Sequence, residues 1–180
     1  IVGWTIGSEE RNTSFQIPWE GFEIPNHAHL EYKRPIVLSS KTKLVVYTGR
    51  SPSGINFRMN KCIGYLNVYY DFTPALPAQC PKPNAEEVRD LSAYCQKVIS
   101  GLSGCKEPNL NDVQIDAECR EYLRDNFGYS QCVAQNYTFF DFFLDEWRAY
   151  LNQPAEIWTG TNDNVVLRDR DGLVVAKLKY

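Results

Sequence analysis

His27, His29 and Glu31 alternate along the chain, so on a strand all three side chains would face one side. Two imidazoles and a carboxylate in that arrangement are donors for a zinc or copper ion. The same residues also suit a solvated strand face, because the turn signal Pro25-Asn26 lies just before them. No fourth ligand and no acid–base partner is near in sequence. No metal or other cofactor is therefore assigned, and a metal-dependent hydrolase using His27 and His29 is the least favoured function.

Cysteine offers a second chemistry. Cys62, Cys80, Cys95, Cys105, Cys119 and Cys132 make six, with none in the first 61 residues. Metal binding wants paired spacing such as Cys-x-x-Cys, which is absent, so disulfides are the expectation. Six cysteines allow 15 pairings, and the sequence does not choose among them. Each bridge would contribute about 2–4 kcal/mol and would imply an oxidising, extracytoplasmic compartment.

Nucleophilic and phosphate chemistry lack their motifs. There is no Gly-x-Ser-x-Gly elbow, and Ser51-Pro52-Ser53-Gly54 reads as a loop without the Gly-Lys-Ser/Thr ending of a phosphate cradle. The paired carboxylates Asp169 and Asp171 are explained by turn chemistry. The chain is read as a non-enzyme. Asn12-Thr13-Ser14 and Asn136-Tyr137-Thr138 are glycosylation sequons, which matter only where the source glycosylates.

The elements that hold these residues fall into three zones within 180 residues, enough for one sizeable domain or a core domain with an insertion. Hydrophobic residues at 43% and charged residues at 23% are ordinary globular values that argue against disorder. A net charge of −3 removes the electrostatic drive for nucleic-acid binding. No run of 18 apolar residues predicts a membrane span, and no basic-plus-apolar leader opens the chain, so a signal peptide is expected to be absent or already removed. Aromatic residues reach 13%, which suits a β-rich core or a binding surface.

Residues 1–72 read as strands, with short runs at Gly3–Ile6, Ser14–Ile17, Lys43–Tyr47 and Cys62–Tyr70 separated by turn residues. Residues 73–152 read as a helical, cysteine-bearing insertion. Its first helix is expected to be capped by Asn84 and to carry Val88, Leu91, Cys95, Val98 and Leu102 at helical spacing, with Gly101 or Gly104 ending it. A second helix is expected from Asp112 to Phe127. A third, from Thr138 to Leu151, holds Phe139, Phe140, Phe142, Phe143, Trp147 and Tyr150, too apolar all round to be solvated. Residues 153–180 return to strands, with Asn164–Arg168 and Leu173–Leu178 flanking a hairpin turn at Asp169–Gly172.

The two end zones, about residues 1–70 and 156–180, resemble the lamin tail domain. Gly3-Trp4-Thr5-Ile6 matches the family's Gly-Trp element, and Phe15-Gln16-Ile17-Pro18 matches the Phe-x-Ile-Pro strand that follows. Trp158, Asp163, Val165-Val166-Leu167, Asp169 to Gly172 and Tyr180 follow in the family's order near the end. Phe57-Arg58-Met59-Asn60-Lys61-Cys62-Ile63-Gly64-Tyr65, together with a cysteine-rich helical stretch, is similar to bacterial lamin-tail proteins. The family usually places one or two strands ahead of the Gly-Trp element, whereas this chain starts at Ile1-Val2. The expectation is that those strands were cleaved or left out, or that another chain supplies them.

The resemblance implies a mainly β fold, an immunoglobulin-like β-sandwich over 1–72 and 153–180 with the helical insertion at 73–152. It also implies an interaction module rather than a catalyst. The expected function is therefore an extracytoplasmic structural or binding module, secreted or at the cell surface. Its partner would be protein, including further copies of itself through strand addition. A monomeric adhesive or carbohydrate-binding domain of a larger surface protein is the alternative.

Overall fold

The computed structural model describes residues 1–24, 33–83, 86–102, 104–159 and 162–179. Among the described residues nine strands form two sheets: β1 Thr5–Ser8, β2 Thr13–Gln16, β3 Glu20–Phe22, β4 Lys33–Pro35, β5 Lys43–Tyr47, β6 Phe57–Asn60, β7 Phe143–Tyr150, β8 Asn164–Arg168 and β9 Val174–Lys179. With a few short helices, the protein is mainly β. It divides into two compact units, one of Ile1–Met59 with Asp145–Tyr180, the other of Asn60–Leu144.

In the first unit, one sheet has four antiparallel strands in the order β2-β1-β8-β9. The five-stranded sheet runs β4-β3-β6-β7-β5 and is mixed, because β3 meets β6 and β5 meets β7 in parallel. The β-branched run Lys43–Tyr47 forms β5, and its register against β7 pairs Lys43 with Glu146 at one end and Tyr47 with Tyr150 at the other. The first pair is an ion pair at 2.6 Å, and the second stacks its rings 4.9 Å apart. Ile36, Trp147 and Ala149 form a buried cluster, with Ile1 and Leu44 packed against it. Gly21 is needed where β3 passes Trp147, because a Cβ there would lie 3.0 Å from the indole and 3.0 Å from the Asn56 carbonyl.

The second unit holds a 3-10 helix at Ile63–Val68 and three α-helices: α1 Ala93–Gly101, α2 Ala117–Asn126 and α3 Tyr129–Asn136. Disulfides join Cys62 to Cys132, Cys80 to Cys105 and Cys95 to Cys119, and all six cysteines are used. Cys95 and Cys119 tie α1 to α2 inside a small apolar core with Leu91, Ile115 and Leu123. Ser92 and Asp116 cap these helices, their side-chain oxygens accepting from the Cys95 and Cys119 N–H groups.

Three sequence expectations change. The helix expected over Thr138–Leu151 is instead a turn followed by β7. Trp147–Tyr150 is buried on both faces of the sheet, and such a stretch of a central strand fits an apolar run as well as a buried helix does. The strand expected at Cys62–Tyr70 is the 3-10 helix. Asn60 Oδ1 accepts from the Cys62 N–H at 3.0 Å and turns the chain, and a Cβ at Gly64 would collide with the Pro77 carbonyl and Cys105 Sγ. The first and second helices start later, at Ala93 and Ala117, because the caps Ser92 and Asp116 set their ends; Asn84 lies outside the described residues. The compact unit that carries the helices spans Asn60–Leu144, alongside the 73–152 stretch read as an insertion, and the Cys62–Cys132 bond lies within it.

Candidate functional site

His27, His29 and Glu31 lie outside the described residues, as does Tyr180. Of the other residues singled out by the sequence, Gly3, Asp163, Asp169 and Gly172 lie around β1, β8 and the β8–β9 turn, while the six cysteines and Asn136 lie in the second unit. Asp163, just ahead of β8, is fully buried. Its carboxylate accepts from the Ser8 hydroxyl at 2.6 Å, the Thr159 N–H at 2.9 Å and the Glu10 N–H at 3.3 Å. Burial alone would push this carboxyl up, but the Ser8 hydroxyl and the N–H groups of Thr159, Glu10 and Asn164 outweigh it and hold it at about 2. An ionised carboxylate thus pins the end of β1 to the segment that opens β8, which makes Asp163 a structural anchor.

The β8–β9 hairpin turns at Asp169, whose Oδ1 accepts from the N–H groups of Asp171 at 3.0 Å and Leu173 at 2.9 Å. Gly172 sits at φ +80°, where a side chain would be strained, and its N–H returns to the Asp169 carbonyl. Gly3 is also left-handed, and a Cβ there would lie 2.9 Å from the Arg170 Cβ. Trp4, Phe15, Pro18 and Trp158 are all half-buried.

Beyond this turn runs β9, an edge strand whose six residues are all exposed. Leu173, Val174, Val175 and Leu178 keep 50–66% of their surface in solvent. A bulge at Leu167/Arg168 and the lysines Lys177 and Lys179 accompany this apolar stretch. Lys177 is matched by Glu9, whose carboxyl it holds below its ordinary value chiefly by hydrogen bonding.

Two further surfaces stand out, of which only the second lies in a run that the sequence singled out. A recess of about 440 Å³ is lined by Trp19, Glu20, Phe22, Lys33, Ile55 and Asn56, among others. In the second unit, the turn after α3 leaves Tyr137 and Phe139 more than half exposed and Phe140 wholly so. The reading of that aromatic run as core holds for Phe142, Trp147 and Tyr150 and fails for these three. Among the sequons, Asn12 sits exposed in the β1–β2 turn, whereas the Asn136 amide donates to the Cys132 carbonyl at 2.8 Å. No family model, curated protein or solved structure matches the chain.

Proposed function

We propose that this chain is a non-catalytic interaction module of an extracytoplasmic structure, an immunoglobulin-like sandwich of lamin-tail type that acts through the edge of β9. The two sheets, and the placement of Asp163 and Gly172 around the β8–β9 hairpin, support the lamin-tail reading. The parallel pairs in the five-stranded sheet depart from the purely antiparallel immunoglobulin pattern. Three disulfides favour an oxidising compartment, and no described helix is long and apolar enough to cross a membrane.

The observation that carries the reading is β9 itself. An edge strand offers a row of unpaired backbone groups, and four large apolar side chains flank this one. The bulge and lysines are devices that resist indiscriminate pairing, so the edge is set up to select a partner strand rather than to aggregate. Self-assembly is measured by light scattering after size exclusion of the native protein. Particles larger than one chain, reduced to 20.7 kDa by the double substitution Val175→Lys and Leu178→Lys, are expected. A single 20.7 kDa species at high concentration overturns self-assembly and favours the monomeric adhesive alternative.

A further inference from the structure

The recess beside β3 belongs to the five-stranded sheet, whereas β9 edges the four-stranded one, so the two surfaces are tested separately. Its volume of about 440 Å³ falls within the range of small-ligand clefts, about 300–1,000 Å³. Trp19 contributes an indole that is 39% exposed, although it precedes a strand that buries Gly21 and Phe22. Glu20 and Lys33 meet diagonally across the β3–β4 pair, their charged ends 3.3 Å apart, and both side chains remain well exposed. Lys33 also lies over the Phe22 ring, 5.7 Å from its centre. Asn56 is committed elsewhere: its Oδ1 accepts from the Tyr150 N–H, and its Nδ2 donates to the Glu20 carbonyl. It braces the floor and leaves Trp19, Glu20 and Lys33 as the working groups.

This combination limits the ligand. A wholly apolar molecule would strip water from Glu20 and Lys33 and return no hydrogen bond. A phosphate or carboxylate would meet the repulsion of Glu20 beside the attraction of Lys33. An uncharged ring with one apolar face and hydroxyls around its edge satisfies all three, stacking on the indole while the carboxylate accepts and the ammonium donates. We propose that this recess is a binding site for a neutral saccharide, with Trp19 as the platform and Glu20 and Lys33 as the hydroxyl-reading pair.

The site is tested by titrating the intact protein with the tetramers of glucose, N-acetylglucosamine and mannose, followed by tryptophan fluorescence and calorimetry. Saturable binding of at least one is expected. Trp19→Ala should weaken it about tenfold or more, and Trp19→Phe should recover part of the loss. Glu20→Gln should weaken it while leaving the thermal melt nearly unchanged. The assignment is overturned if none of the three binds at about 10 mM, or if Trp19→Ala binds as the parent does. It is equally overturned if decaproline, which also docks on exposed aromatic grooves, binds in a Trp19-dependent way while no sugar binds. The β9 substitutions leave this recess untouched, so either result stands whatever the particle mass proves to be.

Discussion

At the scale of single residues, buried polar groups set the sharpest expectations. Asp163 has a folded-state pKa of about 2 against an ordinary 3.8, so its ionised form stabilises the fold above pH 4. That contribution fades as pH falls from about 4 toward 2, when proton uptake favours the unfolded chain. Asp163→Asn should melt at a lower temperature at pH 7 and lose less further stability between pH 4 and 2. Parallel melting-temperature curves for the two proteins would refute this role. In the second unit, Asn60 Nδ2 donates to the Tyr129 hydroxyl at 3.0 Å, with both residues buried. Tyr129→Phe removes the acceptor of that Nδ2 N–H and should cost about 1–2 kcal/mol by urea unfolding. Burial pushes the Tyr129 hydroxyl up, so the cost should be the same at pH 6 and pH 9. Phe140 makes the opposite case. Fully exposed, it can be replaced by serine with a change in urea unfolding within about 0.5 kcal/mol, as expected for a side chain outside the core. Asp163 was visible in the sequence only through its place in a motif. Trp19 had no signal, because exposure beside a recess depends on how β3 and β4 pair.

At the scale of elements, strands with strong local signatures were legible. Lys43–Tyr47 and Asn164–Arg168 carry β-branched runs closed by turn residues, and both are strands with those bounds. The hairpin between β8 and β9 was equally legible, because Asp169 and Gly172 each carry a turn requirement that acts within a few residues. Phe143–Tyr150 was not. Its partners β5 and β6 lie far earlier in the chain, and only their pairing distinguishes a central strand from a buried helix. Disulfide pairing was hidden for the same reason, since proximity in space is not spacing in sequence. Once seen, it has a measurable consequence. Cys95 and Cys119 are 24 residues apart, so replacing both by alanine should cost about 3.5 kcal/mol through the freed unfolded chain. Because both sulfurs are buried between α1 and α2, the melting temperature should fall by roughly 10 °C or more. A shift of only a degree or two would mean that Leu91, Ile115 and Leu123 hold the helices without the bridge.

At the scale of the whole molecule, the division of labour between the two units rests on how each is stabilised. Every cysteine lies within Asn60–Leu144, and the first unit has none. The sequence placed five of the six cysteines in a helical insert over 73–152 and Cys62 in a strand ahead of it, and the Cys62–Cys132 bond links the two stretches. Three bridges with separations of 70, 25 and 24 residues remove about 11 kcal/mol of unfolded-state entropy in the chain-entropy model. That is comparable with the whole stability of an ordinary domain, about 5–15 kcal/mol. The short helices, none longer than the 10 residues of α2, are too brief to persist without tertiary support. Reduction should therefore open Asn60–Leu144 while β1, β8 and β9 stay paired, since their ladder and the Asp163 anchor contain no sulfur. Hydrogen–deuterium exchange before and after phosphine reduction reads this directly. Rapid exchange across 60–144 with retained protection in Thr5–Ser8 and Asn164–Arg168 is the expected pattern. Simultaneous loss in both units would show that the fold is one cooperative body that the disulfides hold throughout.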